Sequence, residues 1–257
     1  MRILHPEAFT TRPAAVLFDL DHTLYEYDPP HAEGMRAVRE KLATSLDIGA
    51  PAFDAAFATA RNTVKDRLGH TASSHSRLLY FAATVEALGY GPQPLLALDL
   101  EQTYWRTFLG TARLAAGAED VLIELRALNI PLGLVTDLTM QIQFRKLVYF
   151  GLDRTFDAVV TSEEAGVEKV GLVPYTILMS KLRLPDGAPV WMVGDSRSDI
   201  EGSRTALKAT TIQKLWGLGT AQAHPEADAL VHDFAGLLAL IRTRLAGPGA
   251  AAPRAAH

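Results

Sequence analysis

The chain has 257 residues, 48% apolar and 21% charged, the balance of a globular protein long enough for one large α/β domain or two of ordinary size. Its formal net charge of −4 gives no electrostatic case for nucleic acid or an anionic membrane, and the absence of Cys excludes disulfides and thiolate metal sites. No run approaches the ~18 apolar residues of a membrane span, and Met1 to Glu7 lacks the apolar core of a signal peptide, so a soluble, cytoplasmic protein is expected.

Residues 1–13 read as a leader, with Pro13 marking the approach to the first strand. Ala15-Val16-Leu17-Phe18 has the pattern of a strand buried on both faces, and it runs straight into Asp19-Leu20-Asp21-His22-Thr23. In an extended chain residues i and i+2 share a face, so Asp19 and Asp21 are expected to point into one space beyond the strand's carboxyl end. Two carboxylates that close repel unless a cation or a shared proton intervenes. Pro29-Pro30 delays the next helix. Four amphipathic segments follow: Met35, Val38, Leu42 and Leu46; Phe53, Phe57, Ala60, Val64 and Leu68; Leu78, Leu79, Ala82, Val85 and Leu88; then 95–109 with Tyr104, Trp105 and Phe108. Without an intervening strand they read as a helical bundle over residues 26–111.

From Ala118 helix and strand alternate. Val121, Leu122, Leu125 and Leu128 line a helix; 131–135 is an apolar strand ending at Thr136-Asp137; 142–150 is helical; 156–160 is a strand followed by a loop to Lys169. A helix over 175–182, a strand over 189–193 running into Gly194-Asp195, a helix over 199–207, strands near 210–212 and 229–231 and a helix over 234–245 complete the pattern. The expected fold class is α/β: a doubly wound parallel sheet with right-handed crossovers, built from residues 14–25 and 112–245, with the helical bundle inserted. Residues 246–257, rich in Ala, Pro and Gly, read as a disordered tail.

Ligands of open parallel sheets bind outside the carboxyl ends of the strands. Those ends carry, in order, Asp19 with Asp21, Thr136, the loop to Lys169, and Asp195: acids, a hydroxyl and a cation. Phosphoryl transfer asks for such a set, with an attacking oxygen, Mg²⁺ to offset the acids, and donors for the equatorial oxygens. Taken singly, Thr136 reads as a helix cap and Lys169 as a solvated charge; their order along the chain favours the catalytic reading.

The motifs Asp19-Leu20-Asp21-His22-Thr23, Thr136, Lys169 and Gly194-Asp195-Ser196-Arg197-Ser198-Asp199 resemble, in order and placement, the four motifs of the haloacid dehalogenase (HAD) superfamily. The resemblance covers residues 15 to about 212 and makes the helical insertion similar to that family's C1 cap on a Rossmann-like core. Val170 stands after Lys169 where this branch usually has Pro. The resemblance implies a Mg²⁺-dependent phosphatase of a small phosphomonoester, a nucleotide or sugar phosphate among the candidates. It implies Asp19 as nucleophile, Asp21 as general acid and base, and Thr136 and Lys169 on the phosphoryl oxygens. The metal would be held by Asp19, the backbone carbonyl of Asp21 and Asp195, with Asp199 orienting its waters or Lys169. A phosphomutase shares these residues; a dehalogenase needs no acid at Asp21, and a non-catalytic binding protein needs neither acid.

Among other residues, Arg77 at a loop-to-helix junction is the leading candidate for a substrate-facing cation, with Arg36, Arg61 and Asn62 behind it. Alternation turns His22 away from the two acids, Tyr25 and Tyr27 are candidates for the entrance wall, and Asp137 reads as a cap for the following helix.

Overall fold

The computed structural model describes residues 1–216 and 223–245. Seven strands form one sheet: β1 (Arg2–Ile3), β2 (Ala15–Phe18), β3 (Leu132–Thr136), β4 (Ala158–Thr161), β5 (Val190–Gly194), β6 (Thr210–Lys214) and β7 (Ala229–Val231). Their order is β1-β7-β6-β5-β2-β3-β4, and every pairing is parallel except β1 with β7. The chain builds outward from β2 in both directions, so the crevice where strand order reverses opens at the carboxyl end of β2. Phe18 pairs with Leu134 on one side and Val193 on the other, which brings Asp19, the end of β3 and the end of β5 to one level.

β2, β3 and β5 are buried throughout because both faces of the sheet are covered. Val16, Phe18, Leu132, Leu134, Trp191 and Val193 share one core with α5 (Ala118–Ala127) and α10 (Phe234–Leu245). The intervening Ala15, Leu17, Val135, Val190 and Met192 pack on the other face against Tyr175 and Leu178 of α8 (Val173–Lys181). α6 (Met140–Tyr149), the single turn α7 (Ser162–Ala165) and α9 (Ser203–Leu207) complete the crossovers. The expected helix over 199–207 begins as a π-helical turn, Ser198–Gly202.

Between β2 and α5 run four helices, α1 (Asp28–Leu46), α2 (Ala50–Leu68), α3 (Arg77–Ala87) and α4 (Pro94–Thr111). Prolines open α1, α2 and α4, where the missing N–H costs no helical bond. α1 lies along α4 and α2 along α3. Lys41 fastens the first pair by donating to Asp99 Oδ1 at 2.6 Å and Thr103 Oγ1 at 3.1 Å. The outgoing and returning chains run side by side, Tyr25 bridging Leu114 and the Ala115 N–H donating to the Leu24 carbonyl at 2.9 Å.

The expected leader is instead part of the sheet. Arg2–Ile3 pairs with β7, a 3₁₀ turn spans Pro6–Phe9, and Phe9 meets the Trp191 ring edge-on at 5.2 Å. A two-residue edge strand is too short to show a period, so the sequence hid it. The tail 246–257 lies outside the described residues. No described helix is long and apolar enough to cross a membrane.

Gly34 marks a close approach of α1 to α4: a Cβ there would lie 2.8 Å from the Tyr104 ring and 3.2 Å from its carbonyl oxygen. Gly34→Val should therefore destabilise by about 1–3 kcal/mol through overpacking, which exceeds the few tenths gained from helix propensity. Urea unfolding measures the loss, and an unchanged midpoint would contradict the packing described.

Candidate active site

β2 delivers Asp19, whose N–H donates to the Val193 carbonyl at 3.0 Å and so keeps the ladder until the carboxylate emerges. That carboxylate is buried, as are Lys169 and Asp199. Lys169 Nζ lies 2.6 Å from Asp19 Oδ1 and 2.7 Å from Asp199 Oδ1, bridging two strand ends. Thr23 Oγ1 donates toward Asp195 Oδ1 at 3.3 Å and Asp19 Oδ2 at 3.5 Å.

Two glycines make room. A Cβ on Gly194 would fall 2.4 Å from Asp199 Cβ, so only glycine lets Asp199 fold back over the end of β5. One on Gly202 would fall 2.5 Å from the Lys169 carbonyl. Asp199 Oδ2 accepts from the Ser196 N–H at 3.1 Å and hydroxyl at 2.6 Å, which fixes its rotamer. Asp137 does not cap α6; Thr139 stands at that cap position, and Asp137 Oδ1 accepts the Lys169 N–H at 3.1 Å, holding the lysine's loop.

One oxygen from each of Asp19, Asp195 and Asp199 lies within 4.8 Å of the others. Burial, then the charge of Asp199, pushes Asp195 up to about 7 against the opposing pull of Lys169. Burial likewise holds Asp19 well above the usual carboxylate range, since Lys169 opposes it while Asp199, Asp195 and Asp21 add to it. Burial works against the Lys169 charge, yet Asp19 and Asp199 outweigh it and hold the ammonium protonated. Three clustered carboxylates with one ammonium are undercompensated, and their oxygens suit a hard divalent cation.

Asp21 has a second lysine. β2 stops at Phe18 and His22 adopts φ 59°, so the extended geometry expected for the motif does not persist. Lys146 Nζ lies 2.7 and 2.8 Å from the two Asp21 oxygens, the Tyr25 hydroxyl donates to Oδ1, and Gln143 Nε2 donates to Oδ2 at 3.2 Å. Burial alone would raise the Asp21 pKa, but the Lys146 charge and these hydrogen bonds prevail and lower it. Gln143 Nε2 also donates to Thr136 Oγ1 and the Asp137 carbonyl, both at 2.6 Å, joining the Asp21 and Thr136 positions. Lys146 and Gln143 were not singled out in the sequence. The signal available was two polar residues, three apart, beside Ile142 and Leu147 on the stripe that α6 buries.

Residues of α1, α2 and α3 line a cleft of about 430 Å³ over this end of the sheet, walled by Asp21, His22 and Asp137 below and by Arg61, Lys65 and Arg77 above. His22 Nε2 sits 3.3 Å from Asp28 Oδ1. Tyr27 lines the cleft and accepts from Arg77 Nη2; Tyr25 is buried and does not line it. Arg36 is exposed and paired with Glu33 and Glu40, and Asn62 is exposed outside the cleft walls.

The profile of haloacid dehalogenase-like hydrolases matches residues 13–207. Over 199 residues the chain is 36% identical to a ribulose-1,5-bisphosphate 5-phosphatase from Halopiger xanaduensis, spanning 77% of this chain and 83% of that protein. It is 30% identical to a glyceraldehyde 3-phosphate phosphatase from Methanocaldococcus jannaschii, spanning 70% and 75%. The solved HAD phosphatase from Thermococcus onnurineus superposes with a TM-score of 0.67 at 22% identity, covering 90% of this chain and 99% of that one, a likeness of fold.

Removing the shared ammonium leaves buried carboxylates unpaired. Lys169→Met should lower unfolding free energy by about 3–5 kcal/mol, and Asp199→Asn in the same chain should recover part of it. Additive losses in urea titrations of the single and double variants would show that the two groups do not share the interaction described.

Proposed function

The chain belongs to the haloacid dehalogenase-like hydrolases, and on that premise we propose that it is a Mg²⁺-dependent phosphatase of a small phosphomonoester, working through an aspartyl-phosphate on Asp19. The observation that carries this reading is Asp19 bound to Lys169 at 2.6 Å at the mouth of β2, with a second acid, Asp21, two residues on. In the phosphorylation step an Asp19 oxygen forms a bond to phosphorus as the ester P–O bond breaks, and the leaving oxygen takes a proton from Asp21. In the second step the Asp21 carboxylate takes a proton from water, whose oxygen attacks phosphorus; the bond to Asp19 breaks and inorganic phosphate leaves. Lys169 and Thr136 bind the phosphoryl oxygens, the former already charged between two carboxylates.

The acid cluster fits a divalent cation. Asp19, Asp195 and the backbone carbonyl of Asp21 would hold Mg²⁺, with Asp199 beside them on Lys169, and the ion would compensate charge on the phosphoryl group. Residues 26–111 act as a cap over a core of residues 14–25 and 112–245, to which the N-terminal segment adds β1. The cleft of about 430 Å³ under it suits a metabolite better than a phosphoprotein. The sugar-phosphate names of the relatives support the same substrate class. Asp21 speaks against the dehalogenase reading, which has no use for an acid there.

Phosphate release from a panel of sugar phosphates and nucleotides should require Mg²⁺ and stop in excess chelator, and Asp195→Asn should raise the Mg²⁺ concentration needed. Asp19→Asn should release no phosphate. Asp21→Asn should still be phosphorylated by p-nitrophenyl phosphate, whose phenolate leaves unaided, but should fail to hydrolyse the phosphoenzyme. Intact mass after rapid quench should then show added phosphate on Asp21→Asn and none on Asp19→Asn. The reverse pattern would mean that the acids are wrongly assigned.

A further inference from the structure

The upper wall of the cleft is cationic and carries no acid of its own. Arg61 and Lys65 stand four apart on α2, where like charges repel at a cost of about 0.2–0.5 kcal/mol, and Arg77 faces the same cleft from the start of α3. Among the described residues none of the three makes an ion pair. Glu168, the nearby carboxylate, is taken by His75 at 2.6 Å, His70 at 3.0 Å and Ser74 at 3.4 Å. The remaining acids of the cleft stand below or at its rim: Asp21 is held by Lys146, Asp137 accepts from Lys169, and Asp28 is exposed beside His22.

Arg77 has an alternative account in its surroundings. Its guanidinium lies 5.3 Å from the Tyr104 ring centre, 5.5 Å from Tyr80 and 5.8 Å from Trp105, and Nη1 donates to the His75 carbonyl at 2.9 Å. Rings and carbonyls stabilise a cation without neutralising it. Its Nε is buried with no acceptor. The uncompensated field reaches its neighbours: burial and then the Arg77 charge push His31 down to about 4. Burial, Arg61 and Arg77 hold Lys65 below the ordinary lysine range against Glu168.

We infer that Arg61, Lys65 and Arg77 form a second anion site, which takes a phosphate at the far end of the substrate from the one cleaved, so the natural substrate is a bisphosphorylated small molecule. This rests on the phosphatase reading of the floor of the same cleft. Three positive charges exceed what a single carboxylate would offset and are better met by a phosphate dianion. The arrangement leaves the free enzyme with repulsion that only an anion relieves.

The test uses three phosphate esters of equal chain length that differ only at the far end: an alkanediol bisphosphate, the hydroxyalkyl monophosphate and the phosphooxy-alkanoate. The bisphosphate should have a kcat/KM about tenfold or more above the hydroxyl compound, carried mainly by KM. Arg61→Gln with Lys65→Gln should remove that preference without lowering the thermal midpoint, because it also removes the repulsion. Arg36→Gln, on the outer face and already paired, should change neither substrate. Calorimetric titration of the bisphosphate and monophosphate into Asp19→Asn protein reads the anion site without turnover, with the same tenfold preference expected. Hydrolysis of the monophosphate with no preference for the bisphosphate, or a preference for the carboxylate, would overturn the second-phosphate site and leave the phosphatase reading standing. Preferential binding of the bisphosphate to Asp19→Asn with no hydrolysis of any ester by the wild type would overturn the phosphatase reading and keep the site.

Discussion

The structure turns on one buried ammonium shared between carboxylates of two different strand ends. Lys169 sits between Asp19 and Asp199, and neither acid could be buried there uncompensated. Much of the local sequence serves that placement. Gly194 leaves space for Asp199, Gly202 leaves space for the lysine's own backbone, Ser196 holds Asp199, and Asp137 holds the Lys169 N–H. The lysine is still outnumbered, so the site retains negative charge that a divalent cation and a phosphoryl group would share.

The same loop ties the chemistry to the helices above it. Glu168, adjacent to Lys169, reaches up to His70, Ser74 and His75, and its N–H donates to the His70 carbonyl at 3.1 Å. Movement of the four helices relative to the sheet therefore pulls on the residue next to the shared ammonium. The opposite attachment is the paired strands at Tyr25 and Leu114, and Tyr25 itself donates to Asp21. Each of these two connections between the insertion and the sheet thus ends one contact away from a candidate catalytic carboxyl or ammonium.

How far the sequence could be read depended on periodicity. The apolar runs of β2, β3 and β5 and the 3.6-residue rhythm of the four inserted helices are long and regular, so strand ends and the acids, hydroxyl and lysine on them could be located in order. Two kinds of feature escaped. Arg2–Ile3 is too short to carry a period and is recognisable only from its partner β7. Roles fixed by tertiary contact also escaped: Asp137 precedes a helix and reads as its cap, but its carboxylate is drawn to an amide 32 residues away. Extended alternation failed at the motif itself: β2 ends at Phe18, His22 turns through positive φ, and Asp21 meets its partners on α6.

Those partners set a condition on the proposed mechanism. A carboxylate gripped by Lys146 on both oxygens, with Tyr25 and Gln143 donating as well, is held in its ionised form, and its lowered pKa follows from that grip. Ionised, Asp21 is suited to take a proton from water in the second half-reaction and unsuited to give one in the first. For one residue to serve both halves, its pKa must rise when the ester binds and fall again when the alcohol departs. Gln143 offers a structural route for that exchange, since its single amide nitrogen donates to Asp21, to Thr136 and to the Asp137 carbonyl. A phosphoryl oxygen that accepts the Thr136 proton makes Oγ1 a stronger acceptor for the Gln143 amide, and every hydrogen bond thereby drawn away from Asp21 makes its carboxyl easier to protonate. Occupancy of the phosphoryl site and the proton affinity of the acid beside it are thereby linked through one buried glutamine.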